Sequence, residues 1–191
     1  MMPVEVTWDT HMQAWTKPYF MGPINAKVVR RTNAIMGYPY GRDFHYEETE
    51  LTSGGIGGWW AAMRGTLIGR AFLLAMATPK LRDFLQHRVL PKSGEGPSKE
   101  VRDAGSYELI LVGETRTGDV LKARIDGKGD PGVRSTTLML TEAGICLAED
   151  ADRIPVGGGF WTPASAMGPL LRDRIVAHAG LRFELIDAPP F

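Results

Sequence analysis

The chain has 191 residues, enough to bury the core of one domain, and its 22 basic and 22 acidic residues leave no net charge. This balance argues against nucleic acid as a partner, because phosphate binding needs a basic surplus. The single cysteine, Cys146, cannot form an internal disulfide and is predicted to be a small buried hydrophobic residue.

Residues 1–22 show little periodicity and are predicted to be a connecting segment whose aromatic side chains pack on a neighbouring surface. Residues 1–9 lack the basic start and apolar block of a signal peptide, so we expect a cytoplasmic protein, at most peripheral to a membrane. Residues 24–36 are predicted to form a helix, although two adjacent valines would also suit a strand. Alternation over residues 43–51 predicts a strand.

Residues 59–77 are apolar on nearly every face and are predicted to form a largely buried helix. A membrane-spanning helix is disfavoured, because Arg64 and Arg70 lie about 240° apart around the helix axis. Each arginine would cost roughly 2.5–3.5 kcal/mol near the centre of a bilayer. Contact with lipid or with an apolar ligand is the alternative to burial.

The second half of the chain predicts several short elements. A small amphipathic helix at 81–89 and a turn-rich loop at 91–97 precede two alternating strands, 107–115 and 120–126, joined by a hairpin turn. A largely buried helix is expected at 134–149, a helix capped by Thr162 runs to Gly180, and a last strand covers 181–186. The sum is an α+β fold with a mainly antiparallel sheet flanked by helices.

One segment, Gly127-Lys-Gly129-Asp-Pro-Gly132, matches the glycine spacing of a dinucleotide-binding turn. We reject this function because the preceding strand alternates polar and apolar residues, whereas the first strand of a Rossmann fold is apolar throughout. That strand also closes a hairpin. The better interpretation is a sharp turn in which Asp130 caps the following helix.

Other chemistry is hard to place in the sequence. The four histidines lack metal-ligand spacing, and no nucleophile has a neighbouring base, so no metal site is predicted. Glu47, Glu48 and Glu50 are predicted to line a solvated strand face. The loop at 91–97 either separates two elements or presents Lys92 and Glu95 to a ligand.

Six segments in order carry a resemblance. They are Phe20-Met-Gly-Pro-Ile-Asn-Ala-Lys-Val-Val-Arg-Arg31, Gly37-Tyr-Pro-Tyr-Gly-Arg-Asp-Phe-His-Tyr-Glu47, Pro91-Lys-Ser-Gly-Glu-Gly-Pro97 with Arg102, Gly129-Asp-Pro-Gly132, Glu142-Ala-Gly-Ile-Cys-Leu-Ala148 and Gly157-Gly-Gly-Phe-Trp-Thr-Pro-Ala164. In this order they resemble the C-terminal half of saccharopine-dehydrogenase-like proteins, a group that includes trans-acting enoyl reductases. The sequence departs from that pattern at Val133, where the family usually has tyrosine, and at Ser93, where it usually has proline.

The resemblance implies that residues 23–191 form a C-terminal, substrate-side domain, after the connecting segment 1–22. The full-length family uses NAD(P) on an N-terminal Rossmann domain, and no cofactor is expected to bind this chain alone. The expected partners are a missing Rossmann domain or partner chain, and further copies of the chain in a homo-oligomer. An apolar acyl substrate or a membrane surface is also expected. An exposed apolar surface is expected if the chain stands alone. The pocket candidates, all polar or charged loop and helix residues, are Arg30, Arg31, Tyr40, Arg42, Lys92, Glu95, Asp130 and Arg134.

Three functions stay open from the sequence. The first is one part of an oxidoreductase, with the isolated chain inactive. The second is a non-enzymatic module that binds lipid or a partner through the apolar helix, and the third is a truncated gene product.

Overall fold

The computed structural model describes residues 5–92 and 94–186, and the backbone divides into two compact units, Met1–Glu95 and Gly96–Phe191. Ser93 and residues 1–4 of the predicted connecting segment therefore lie outside the described residues. The predicted α+β class with antiparallel sheets and flanking helices is confirmed, in the form of one small three-stranded sheet in each unit.

The first unit combines a three-stranded antiparallel sheet, in the order β1-β2-β3, with three helices. Its elements are β1 (Thr7–Asp9), β2 (Ala14–Pro18), α1 (Gly22–Ile35), β3 (Thr49–Leu51), α2 (Gly55–Ala77) and α3 (Pro79–Arg88). The predicted connecting segment thus contains two strands, and β2 is the central one. Its aromatic residues Trp8 and Trp15 face each other across the sheet, with ring centroids 5.3 Å apart.

The predicted helix at 24–36 is confirmed as α1, whereas the predicted strand at 43–51 is wrong for most of its length. Pro23 suits the first turn of α1, and Gly37, with φ +80°, ends the helical path. Within residues 43–51, only the three residues of β3, Thr49, Glu50 and Leu51, pair with a neighbouring strand, because β2 offers partners to these three alone.

The prediction that the apolar helix is largely buried is wrong. Only Gly58 and Ala62 of α2 are buried, and both lie in its first half, where the helix packs on β2. In this unit the small sheet and the short helix α3 cover one side of α2, so apolar side chains such as Leu67 and Leu74 are exposed. Among the described helices, none is long and apolar enough to cross a membrane.

The second unit has a sheet in the order β4-β5-β6, antiparallel throughout. Its elements are α4 (Lys99–Ala104), β4 (Ser106–Glu114), β5 (Val120–Lys128), a π-helical turn (Pro131–Ser135), α5 (Thr136–Glu149), a 3₁₀ turn (Ala151–Arg153), α6 (Pro163–Ala166), α7 (Gly168–His178) and β6 (Leu181–Ile186). The predicted hairpin and last strand are confirmed. The helix predicted from 162 to Gly180 is two helices, which separate at Gly168 with φ +42°.

The core of this unit lies between α5, α6 and α7. Cys146 is fully buried, as predicted, and packs with Ala166 and Met167, while burial raises the pKa of its thiol. The prediction that α5 is largely buried is wrong, because Cys146 is its only buried residue and Leu140 and Leu147 are exposed. The reason is the small size of α6 and α7, which cover a single face of α5.

Candidate functional site

A long loop follows α1 in the first unit. Residues 36–48 have no helix or strand, and irregular loops of this length are uncommon unless they have a function. The buried Asn33 of α1 fixes the loop, since its side-chain amide donates to the carbonyl of Gly41 (2.8 Å) and its oxygen accepts from the amide of Tyr40 (3.1 Å). We call residues 36–48 the α1–β3 loop.

The far end of the α1–β3 loop is held to α1 in the same way. Asn25 donates to one carboxylate oxygen of Glu48 (2.8 Å), and the Tyr46 hydroxyl donates to the other (2.5 Å). Burial, together with the hydrogen bond to the Glu48 carboxylate, raises the pKa of Tyr46 well above its ordinary value. Arg30 donates to the Tyr46 carbonyl at 3.3 Å. The loop is therefore anchored at both ends.

Aromatic rings follow one another along this anchored loop. The centroids of Tyr40 and Phe44 are 5.2 Å apart, and those of Phe44 and Tyr46 are 6.4 Å apart. The Arg42 guanidinium lies over the ring of Tyr38, 4.2 Å from its centroid, and Tyr38 has a left-handed backbone with φ +66°. Such a conformation is uncommon for a bulky residue and often marks a functional segment.

Four of the predicted pocket residues lie on α1 or on the α1–β3 loop. Arg30 and Arg42 have the contacts just described, Tyr40 stands exposed beside Phe44, and Arg31 lies exposed on α1. The structure places these four in one part of the first unit. Their role in binding a substrate stays a prediction.

The sequence did not indicate one pair of residues on the same loop. Glu47, predicted to line a solvated strand face, accepts a hydrogen bond at Oε1 from Nε2 of His45, 2.6 Å away. The spacing of two residues was visible in the sequence, but the chain there is not a strand, and only the bend of the loop brings the side chains together.

Lys92 and Glu95 form a turn at the end of the first unit. The Glu95 amide donates to the Lys92 carbonyl (2.9 Å), and the Glu95 carboxylate accepts from the Lys92 amide (3.2 Å). Glu95 thus uses its side chain to close the turn. Both residues are exposed, and their presentation to a ligand stays a prediction.

Asp130 and Arg134, the last two candidates, lie in the second unit at the turn after β5. Asp130 caps the π-helical turn as predicted, because its carboxylate accepts from the amides of Val133 (2.7 Å) and Arg134 (3.1 Å). These hydrogen bonds, the one from Val133 first, lower the pKa of Asp130. The Arg134 guanidinium pairs with Asp103 of α4, which Lys99 also contacts. π-helical turns of this kind are frequent at functional sites.

The glycines of this turn make room for side chains of the chain itself. A Cβ on Gly127 would lie 2.1 Å from Cζ of Tyr107, and one on Gly129 would lie 2.4 Å from Cδ of Arg134. The Tyr107 hydroxyl hydrogen-bonds to the fully buried Ser135 at 2.6 Å. Gly127 and Gly129 therefore make room for the side chains of Tyr107 and Arg134.

The segment from Gly127 to Gly132 differs from a dinucleotide-binding turn in its place in the fold. It follows the central strand of an antiparallel sheet, whereas a dinucleotide-binding turn follows a strand of a parallel sheet. Among the residues that the structure describes, no group of three or more histidine, cysteine, aspartate or glutamate side chains could hold a metal ion.

An apolar cleft lies at the start of α2. Its volume is about 510 Å³, and its lining is Trp8, Trp15, Gly55, Ile56 and Trp59. Gly55 contributes no side chain to the cleft, and a Cβ built on it would meet no neighbour within 4 Å. Its aromatic walls suit an apolar ligand.

Comparison with known proteins adds a set of mycobacterial relatives. A Mycobacterium tuberculosis protein named as a candidate trans-acting enoyl reductase is 37 % identical over 166 residues, which is 85 % of this chain and 39 % of that protein. Proteins named trans-acting enoyl reductase from Mycobacterium bovis and Mycobacterium ulcerans are each 35 % identical over 163 residues, 84 % of this chain and 39 % of theirs. No family model matches the sequence, and no solved structure matches it. The chain spans about two fifths of the length of these curated relatives.

Proposed function

We propose that the chain is the substrate-side part of an NAD(P)-dependent enoyl reductase that resembles saccharopine dehydrogenases. The similarity to proteins named trans-acting enoyl reductase, 35–37 % identity over about 85 % of the chain, is the observation that carries the proposal. The nucleotide would bind to polypeptide that corresponds to the remaining three fifths of those relatives. At Gly127 and Gly129 the side chains of Tyr107 and Arg134 occupy the adjacent space, which agrees with binding of the nucleotide to the other polypeptide.

An apolar enoyl chain is the substrate that suits the first unit. The tryptophan-lined cleft offers an apolar surface beside α2, with Trp59 and Ile56 contributed by that helix. The α1–β3 loop adds the exposed Tyr40 ring and the Arg42 guanidinium, which could orient the polar end of a thioester. Their anchoring by Asn33 and Glu48 would hold them in a fixed geometry, as a binding site requires.

Reconstitution tests this proposal. The chain would be produced together with the part of the Mycobacterium tuberculosis relative that lies outside the match, and NADPH consumption would be followed with a trans-2-dodecenoyl thioester. We expect turnover only when both polypeptides are present. The full-length relative is the positive control.

Variants connect the activity to the first unit. Trp59→Ala, which removes one wall of the cleft, should raise KM about 10-fold or more by the loss of apolar contact. Phe160→Ala is the matched control, since this exposed aromatic residue lies in the second unit. If the full-length relative turns over the thioester and the reconstituted pair does not, the proposal is wrong.

A further inference from the structure

The charges of this neutral chain are unevenly distributed. Residues 52–94 contain six basic side chains and the single acidic Asp83, so that the segment carries 6 − 1 = +5 charges while the rest of the chain carries −5. The six basic residues are Arg64, Arg70, Lys80, Arg82, Arg88 and Lys92. The same segment contains α2, the helix with the most exposed large apolar side chains in the first unit, and α3, which adds two more.

Seven large apolar side chains of α2 are exposed, on more than one face, and three of them form a stripe. Trp60, Leu67 and Leu74 are seven residues apart and therefore lie on one face of the helix. This face is opposite to Gly58 and Ala62, which are buried against the unit's own sheet. The stripe is therefore a second apolar face, which the first unit does not cover.

The helix α3 continues this surface. Leu81, Phe84 and Val89 are exposed, with exposed fractions between 51 and 60 %, and they alternate with the basic side chains of α3 and its flanks. No residue of α3 itself is buried. Together, the second half of α2 and α3 present apolar and basic side chains on one helical segment, residues 67–89.

We propose that the helical segment of residues 67–89 docks on the surface of an anionic lipid bilayer. Exposed leucine and phenylalanine side chains can enter the boundary between headgroups and acyl chains, and the surrounding basic residues are attracted to anionic headgroups. The exposed end of α2, residues 67–77, is about 16 Å long, roughly half the thickness of the hydrocarbon core. This length suits a helix that lies in the interface.

Charge decides between the bilayer and a second copy of the chain. A symmetric pair that meets through residues 67–89 would bring together two copies of a segment with four basic side chains and one acidic side chain, a net charge of +3 each. Like charges oppose such a contact, whereas an anionic bilayer neutralises them. The inference concerns where the chain sits and does not depend on the proposed enzymatic function.

Vesicle sedimentation tests the inference. The purified chain is mixed with vesicles of phosphatidylcholine alone or with about 30 % phosphatidylserine, at about 50 and about 500 mM salt. We expect binding to the phosphatidylserine vesicles at low salt, with a several-fold loss at high salt. Equal binding to both vesicles, or binding to neither, would overturn the inference.

Two pairs of variants locate the contact. Leu74→Asp should weaken binding about 10-fold or more, whereas Leu140→Asp, which changes an equally exposed leucine on α5 (72 % against 69 %), should leave it unchanged. Arg88→Glu should weaken binding about 5-fold or more, unlike Arg172→Glu on α7. If the chain forms a dimer in the absence of lipid, and if Leu74→Asp dissociates that dimer, this face belongs to a second copy and the inference is refuted.

Discussion

Single residues in the second unit show how glycine positions follow from close contacts. Gly127 lies under the ring of Tyr107, and Gly105 lies against the backbone of Asp130, where an added Cβ would be 2.6 Å from its amide nitrogen. Both glycines thus bring the start of β4 close to the turn after β5. This packing accounts for glycine at both positions.

The contact beneath Tyr107 can be tested with an added methyl group. Gly127→Ala should destabilise the protein by roughly 2–3 kcal/mol, because the methyl group overlaps the ring. Gly113→Ala is the control on the neighbouring strand, where a Cβ would come no closer than 3.9 Å to another atom, and it should be neutral or slightly stabilising. Urea unfolding measures both. In the Tyr107→Ala background, the effect of Gly127→Ala should shrink, and an unchanged effect would contradict this explanation.

Asp130 gives a prediction about acid stability. Its folded-state pKa lies below the ordinary value, mainly because Val133 donates a backbone hydrogen bond to the carboxylate. A lowered pKa stabilises the fold above the unfolded pKa of about 3.9, and this contribution is lost as the pH falls through the folded value. Urea midpoints measured from about pH 6 to pH 2 should fall less steeply in Asp130→Asn than in the unmodified chain. Equal slopes would contradict the role of this cap.

Residue-scale predictions succeeded where the cause is local in sequence. Thr162 caps α6 through Ser165, and Gly180 adopts φ +73° after α7, both as expected from residues a few positions away. The pairs His45–Glu47 and Arg134–Asp103 were not predicted. The first depends on the path of an irregular loop, and the second joins residues 31 positions apart.

At the scale of elements, α2 shows that the features that predict a helix do not by themselves predict its burial. Its length and apolar residues predicted a helix correctly, and Thr78 with Pro79 marks its end. Apolar residues on every face also predicted burial, but burial depends on how much surface the rest of the unit supplies. A three-stranded sheet and a ten-residue helix do not supply enough.

The start of α2 provides a matched pair of adjacent glycines. Gly57→Ala should stabilise the protein by about 0.5–1 kcal/mol, because alanine is the better helix former and its Cβ meets no atom within 4 Å. Gly58→Ala should destabilise it by roughly 3 kcal/mol, since its Cβ would lie 1.7 Å from the Ser53 carbonyl oxygen. Thermal unfolding distinguishes the two, and stabilisation by both substitutions would show that α2 begins differently.

The strand predicted at 43–51 failed for a related reason. Alternating residues such as Phe44, His45 and Tyr46 suit a strand, but a strand also needs a neighbour with free backbone groups. β2 is five residues long and supplies partners for three positions of this segment. The rest of the segment is held instead by side chains of α1, since Asn25 donates to Glu48 and Arg30 donates to the Tyr46 carbonyl.

For the whole molecule, the sequence predicted the fold class and the resemblance to enoyl reductases, and the relatives carry that name. It did not predict the two compact units or the extent of the exposed apolar surface, because both depend on long-range packing. The predicted pocket residues fall into both units, with Arg42 in the first and Arg134 in the second. Each group needs its own experimental test.

The most direct test of the central claim is a paired titration of the purified chain, followed by calorimetry. One ligand is the N-acetylcysteamine thioester of trans-2-dodecenoic acid, which contains no nucleotide, and the other is NADPH. A substrate-side part that lacks a dinucleotide turn at Gly127 to Gly132 should bind the thioester and give no heat with NADPH. Micromolar binding of NADPH without binding of the thioester would contradict the account and make this chain the nucleotide-binding part.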